Sequence, residues 1–172
     1  MSPKSLDFET MRQRCFDQMK AATQCVLATA VGDTVTARHI SVVIIGEKLC
    51  FYTGTNTRKF GQIKENPKVA LAMDNLQIEG TARFRGHPSE PENQDFVAAI
   101  IKRFEHEIPD NVDLTSSLLA NPSVPFVVIE VSPARFQTYN LPPDFHMDII
   151  DLEAGTAIRV DADDAPFLKM EI

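Results

Sequence analysis

The sequence has no tryptophan and only two tyrosines in 172 residues, and it has neither a G-x-G-x-x-G nor a G-x-x-x-x-G-K-[ST] loop. The usual nucleotide-binding loops are therefore excluded. It also lacks an apolar signal segment and any run long enough to span a bilayer. Its formal net charge of −7 argues against binding to nucleic acid or anionic membranes. We expect a cytoplasmic protein.

Cysteine and histidine are scarce. Cys15, Cys25 and Cys50 are an odd number without C-x-x-C spacing, and each lies in an apolar run. This pattern predicts buried free thiols in a reducing compartment. The four histidines are scattered, without H-x-H or H-x-x-x-H spacing, so no metal site is expected.

Hydrophobic residues make up 44% of the chain and charged residues 24%, which is typical of a globular protein. No linker or repeat divides it, so we expect one domain over residues 1–172. Apolar residues at spacings of three and four predict an N-terminal helix over 7–22. A short helix is expected over 57–65, ended by Asn66-Pro67, and a longer one after Pro91.

Short apolar runs predict the strands. They lie at 25–30, 35–45, 48–53, 68–74, 77–86 and 125–140, the last bent near Ser132-Pro133. Their short connections favour antiparallel pairing, with a hairpin of 35–45 and 48–53 about Gly46-Glu47. The tail, 141–172, has a D-L-E-A-G-T turn that can form a terminal hairpin. The fold class is mainly β with inserted helices, a closed or partly closed barrel.

Two cations stand where the short helix should begin. In F-Y-T-G-T-N-T-R-K-F, Arg58 and Lys59 follow a loop of small and polar residues. A helix N-terminus carries partial positive charge and disfavours cations. Either the two side chains are solvated, with their stems covering apolar surface, or an anion such as a phosphate binds there.

Arg38 supports the second interpretation. It lies inside the apolar strand T-A-R-H-I-S-V-V, and arginine is seldom buried without a partner. In the predicted hairpin, Arg38 and residues 53–59 approach the same end. Three cations near one point would suit a phosphomonoester.

Three stretches resemble the flavin-binding split-barrel family typified by pyridoxamine 5′-phosphate oxidase. They are A-T-A-V-G-D-T-V-T-A-R-H-I-S, F-Y-T-G-T-N-T-R-K-F-G-Q-I-K-E-N-P-K-V-A-L and N-L-Q-I-E-G-T-A-R-F. The motifs that carry the resemblance cover about residues 25–86, and the rest of the chain resembles the family only in the order of its predicted helices and strands. It implies a six-stranded antiparallel split barrel and a homodimer with FMN between the subunits.

The resemblance also implies roles for particular residues. Arg38 and Lys59 would hold the FMN phosphate with Arg58 beside them. His39, Ile40 and Ser41 would run along the isoalloxazine ring, and Tyr52 and Thr53 would border the phosphate and ribityl chain. Asn75 stands where the family has a glutamine that would hydrogen-bond the ring, and Gln77 is the alternative residue for this role. Tyr139 matches an aromatic residue supplied by the partner subunit, or else it packs in the barrel.

The chain departs from the oxidase itself. Its tail has no Arg-x-His motif to grip pyridoxal phosphate, so oxidation of pyridoxamine phosphate is not supported. The resemblance implies an FMN-dependent oxidoreductase that transfers hydride through flavin N5, with NAD(P)H a possible donor. No side chain stands out as a general acid or base. The alternatives are a non-catalytic module that binds flavin or haem, and a relative that uses a deazaflavin.

Overall fold

The computed structural model describes residues 3–104, 119, 121–140 and 145–161. These residues form three α-helices and ten strands. In chain order they are β1 (Lys4–Ser5), α1 (Phe8–Ala21), β2 (Gln24–Val31), β3 (Thr34–Ser41), β4 (Val43–Ile45), β5 (Lys48–Gly54), α2 (Arg58–Glu65), β6 (Lys68–Met73), β7 (Leu76–Gly86), α3 (Gln94–Phe104), β8 (Phe126–Asn140), β9 (His146–Asp151) and β10 (Thr156–Asp161). A single 3₁₀ turn, Pro91–Asn93, leads into α3.

All strand pairs are antiparallel, which confirms the mainly β fold class. The main sheet runs in the order β1-β10-β9-β8-β7-β6-β2-β3, and β5 joins it by pairing with β8 and with β4. The long strand β8 therefore contacts β5, β7 and β9, and it bends the sheet around a common core. The D-L-E-A-G-T turn connects β9 to β10, which confirms the terminal hairpin.

The bend in β8 lies where the sequence predicted it. The register between β7 and β8 shifts between Glu79 and Gly80, so that Gly80 faces Pro133 while Glu79 faces Arg135. A Cβ atom at position 80 would stand 2.6 Å from the carbonyl oxygen of Ser132. Only glycine permits this close approach, because real Cβ contacts are not that short.

The helices begin and end close to the predicted boundaries. Asp7 caps α1, since its carboxylate accepts a hydrogen bond of 2.9 Å from the backbone N–H of Thr10. Thr57 caps α2, which ends at Glu65 immediately before Asn66-Pro67. The third helix is described as far as Phe104, and its expected continuation lies outside the described residues.

One predicted strand is wrong. Residues 35–45 form two strands, because the chain leaves β2 after Ser41 and pairs again only at Val43–Ile45. Only the second piece forms the hairpin with β5. Arg38 therefore does not reach the 53–59 segment through that hairpin. It lies on β3, paired through Leu27 with β2, and α2 packs against β2.

Two apolar clusters fill the fold. The larger lies inside the curved sheet and under α1, and the smaller lies between α3 and the outer side of β4 and β5. The three cysteines are buried and free, as predicted. Burial raises the pKa of Cys15 and Cys50 to about 11 and that of Cys25 to about 12.

Candidate functional site

The N-terminus of α2 lies at the end of β5. The hydroxyl of Thr57 accepts a hydrogen bond of 3.4 Å from the backbone N–H of Phe60 and donates one of 2.8 Å to the carbonyl oxygen of Gly54. Thr53 lies beside it, with 3.0 Å between the two hydroxyl oxygens. Arg58 and Lys59 form the first turn, which contains no acidic residue.

Arg38 reaches the same region from β3. Its Nη1 donates to the Thr29 hydroxyl at 2.7 Å and to the carbonyl oxygen of Leu27 at 3.3 Å. Its Nη2 donates to the Thr36 hydroxyl and, at 3.1 Å, to Oε1 of Gln62. Both terminal nitrogens are thus held by neutral oxygens.

Two of the three cations have a lowered pKa. Burial and the charge of Arg58 lower the pKa of Arg38, and burial and the charge of Arg38 lower the pKa of Lys59. Within the described residues, no carboxylate forms an ion pair with any of the three. The result is a local excess of positive charge on a protein that is acidic as a whole.

His39, Ile40 and Ser41 complete β3, which is an edge strand. Within the described residues β3 pairs only with β2, so alternate N–H and C=O groups along its other edge face away from the sheet. Ile40 is buried in the larger cluster, whereas His39 is exposed on the opposite face. This edge can offer backbone hydrogen bonds to a flat polar ligand.

Tyr52 and Thr53 point to opposite faces of β5. Thr53 is buried beside Thr57, at the start of α2. Tyr52 packs edge-on against Phe96 and Phe126, with ring centroids 6.2 Å and 5.2 Å apart. In this chain Tyr52 therefore lies in the smaller cluster, and Thr53 is the one that adjoins the cations.

Asn75 and Tyr139 lie together at the far end of the sheet. The amide of Asn75 donates to the carbonyl oxygen of Tyr139 at 2.8 Å and accepts from Gln18 at 2.7 Å. Arg38 lies two strand spacings from Leu71 on β6, and Asn75 follows Leu71 by four residues. Arg38 and Asn75 are therefore on the order of 15 Å apart. The two groups can contact opposite ends of one elongated ligand, but not the same atom.

Tyr139 is one of two exposed large apolar residues among the described residues. It is 39% exposed and accepts a hydrogen bond from Gln137 on its phenol oxygen. The other is Val35 on β3, which is 67% exposed. Val35 borders an open groove of about 550 Å³ on the outer face of the sheet. Small residues form much of its wall, among them Ala28, Ala30, Ala70, Gly80 and Ala134.

Sequence reasoning missed the residues that hold Arg38. Gln62 is buried although it lies on a short polar helix, and its Oε1 accepts a hydrogen bond of 2.8 Å from each of Thr29 and Thr36. The available signal was the position of Gln62, one turn after Arg58 and beside the inward-facing Ile63. A buried polar side chain requires partners, and only another polar group can supply them.

The architecture and the cations at the start of α2 define a split-barrel protein. The chain belongs to the pyridoxamine 5′-phosphate oxidase family, because residues 11–140 match the model of that family. This result confirms the family resemblance. A comparison with curated proteins found no match.

Solved structures confirm the fold at low sequence identity. An F420 reductase is 22% identical, with a TM-score of 0.53, over 70% of this chain and 93% of its own. General Stress Protein 26 from Bacillus anthracis is 17% identical, with a TM-score of 0.52, over 82% of this chain and 98% of its own. A heme binding protein from Mycobacterium smegmatis is 13% identical, with a TM-score of 0.58, over 82% of this chain and 59% of its own.

Among the described residues, none of the three helices has the length and apolar character that a membrane crossing requires. The same residues contain no group of three or more histidine, cysteine and acidic side chains placed to hold a metal ion.

Proposed function

We propose that this protein binds FMN and works as an FMN-dependent oxidoreductase on a small molecule. One observation carries the proposal: Arg38, Arg58 and Lys59 converge at the N-terminus of α2 without a carboxylate partner among the described residues. A phosphate monoester would relieve their mutual repulsion and accept hydrogen bonds from the free N–H groups of the helix.

The residues present fit the rest of the cofactor. Thr53 and Thr57 hydrogen-bond to each other and hold the start of α2 at the phosphate end, and the open edge of β3 offers backbone groups along His39–Ser41. Asn75 supplies an amide at the far end of the sheet. A ligand with a phosphate at one end and a flat polar ring at the other matches this order.

The chemistry would come from the cofactor and not from a side chain. Bound FMN would supply hydride transfer at its N5 atom. The protein's own residues would bind the phosphate, orient the ring along β3 and exclude water. The proposed catalyst therefore needs no acid–base residue, and we assign none.

We further propose a homodimer. Val35 and Tyr139 are both exposed, and Val35 borders the open groove of small residues on the outer face of the sheet. A second copy would cover this face and enclose the ligand along the edge of β3. In this arrangement Tyr139 of each chain can face the cofactor held by the other, as the family resemblance implies.

The dimer has a direct test in Val35→Asp. A charge at this exposed position should not disturb the monomer fold, but it should weaken a packed apolar interface. Light scattering should then report a smaller mass for the variant than for the wild type. The same mass for both, whether monomer or dimer, would contradict the proposed interface.

The cofactor is tested by extraction. Purified protein should be yellow, with the visible spectrum of an oxidised flavin, and should release FMN on denaturation. NADPH or NADH consumption with a small acceptor would then distinguish an enzyme from a storage protein. Colourless protein that ignores added FMN would contradict the proposal.

Haem is the second candidate, since one structural neighbour is a heme binding protein. An intense Soret band in the purified protein would favour it. A deazaflavin is the third, because another neighbour is an F420 reductase. Tighter binding of the deazaflavin than of FMN would identify that case.

A further inference from the structure

Gln62 occupies the centre of the hydrogen-bond network around Arg38. Its Oε1 accepts from the hydroxyls of Thr29 and Thr36 at 2.8 Å each and from Nη2 of Arg38 at 3.1 Å. All three partners are donors toward this atom, so the amide oxygen must face them and the amide nitrogen must point away. Gln62 is only 6% exposed, so water cannot replace these bonds easily.

This network holds the guanidinium without cancelling its charge. The four hydrogen bonds of Nη1 and Nη2 go to two hydroxyls, an amide and a backbone carbonyl, all of them neutral. Arg38 is half-buried, and arginines with little exposure are usually paired with a carboxylate, which both fixes the side chain and neutralises its charge. Here the two effects are separated: Arg38 is fixed, but its full charge remains available to a ligand.

We propose that Gln62 determines the specificity of the site for a phosphate-bearing ligand, by orienting Arg38 while leaving it uncompensated. This inference rests on the proposed function. Glutamate has nearly the same shape as glutamine, but its carboxylate would form an ion pair with Arg38 inside the protein. The site would then keep its geometry and lose the contribution of Arg38 to its attraction for a phosphate.

The experiment compares FMN with riboflavin, which has the same ring and ribityl chain but no phosphate. Apoprotein is titrated with each ligand and flavin fluorescence is followed. For Gln62→Glu, FMN affinity should fall roughly 10- to 100-fold, the scale of one charge-assisted hydrogen bond. Riboflavin affinity should change less than about threefold, since the ring side of the site is untouched.

Two further variants separate charge from shape. Gln62→Met keeps the site neutral but removes the acceptor, so its loss of FMN affinity should be smaller than that of Gln62→Glu. Gln94→Glu is the matched control: it adds the same charge at an exposed position on α3, which packs against β4. Its affinity for both ligands should equal that of the wild type.

A double-mutant cycle tests the route through Arg38. In an Arg38→Ala background, Gln62→Met should cause little additional loss of FMN affinity, because no guanidinium remains for Gln62 to orient. A merely structural role for Gln62 would instead lower FMN and riboflavin affinity equally, in both backgrounds. That result would overturn the inference even if the wild type binds FMN.

Inorganic phosphate supplies a readout that does not depend on flavin. Phosphate should raise the melting temperature of the wild type and of Gln94→Glu more than chloride of the same ionic strength, and this gain should be smaller in Gln62→Glu. If the wild type ignores FMN but shows this pattern, the proposed function fails and the inference stands. If phosphate stabilises the wild type and Gln62→Glu equally, the inference is wrong.

Discussion

Replacing Lys59 by methionine should change stability and affinity in opposite directions. Without an anion, Lys59 lies in the first turn of α2, where the helix dipole disfavours a cation. The charge of Arg38 adds to the burial that lowers the pKa of Lys59. Methionine keeps the apolar stem and removes the charge. The ligand-free variant should therefore be more stable than the wild type.

The magnitudes are modest but measurable. A charge in the unfavourable position at a helix end costs about 0.3–1 kcal/mol. Repulsion from Arg38 adds no more than this, because Lys59 is half-buried and water screens it. For a domain of this size the combined gain corresponds to a rise in melting temperature of about 1–8 °C. Affinity for FMN should fall by about 1.5–3 kcal/mol, the loss of one charge-assisted hydrogen bond.

Lys64 offers a matched control on the same helix. It is exposed in the last turn of α2, where a cation is favourable. Lys64→Met should therefore lower stability slightly and leave FMN affinity unchanged. Thermal unfolding of both apoproteins at low and high salt, with FMN titrations beside it, measures all four quantities. If Lys59→Met destabilises the apoprotein or binds FMN normally, the assignment of Lys59 to the phosphate is wrong.

The other predictions concern parts of the molecule away from the cations. Glu130 is 5% exposed on β8; burial alone raises its pKa, but hydrogen bonds from Lys48 at 2.8 Å and Arg83 at 3.1 Å hold the pKa below its usual value. Glu130→Gln should cost about 1–2 kcal/mol at pH 7, since both partners are partly solvated. A depressed carboxyl pKa contributes stability above the unfolded-state value of 4.5 and loses it as the pH falls. Urea titrations should therefore show the variant's deficit shrinking below that pH, and a constant deficit would refute this account. Val35→Asp and the flavin extraction, described above, test the dimer and the cofactor.

The sequence predicted the elements better than their pairing. Helix α2 follows from a threonine cap and an Asn-Pro stop, which are local signals. The split of residues 35–45 was missed because V-T-A-R-H-I-S-V-V-I-I is β-prone throughout, and only the rest of the fold determines that the chain changes partners near Val42. Nothing local to a strand specifies which edge it joins.

Local sequence identified the three cations of the site but not the glutamine that orients one of them. Arg38, Arg58 and Lys59 were conspicuous because each conflicts with its own local surroundings, and such conflicts tend to mark functional sites. Gln62 is a polar residue on a polar helix, so its residue type is ordinary there. Its importance appears only when β2 and β3 bring Thr29, Thr36 and Arg38 beside it. The position of Gln62 beside the inward-facing Ile63 indicates burial, but its positioning role can be inferred only after Arg38 has been located.

The unpaired positive charge of the site has a cost in stability, and this cost itself points to a bound anion. Three neighbouring cations repel one another and lower the free energy of unfolding, and a bound anion would offset this cost. A carboxylate at position 62 would remove this cost by pairing with Arg38, and it would fit the space that Gln62 fills. The presence of an amide there means that the unpaired charge persists in the folded protein. Stability given up at one point in this way is most simply explained by binding at that point.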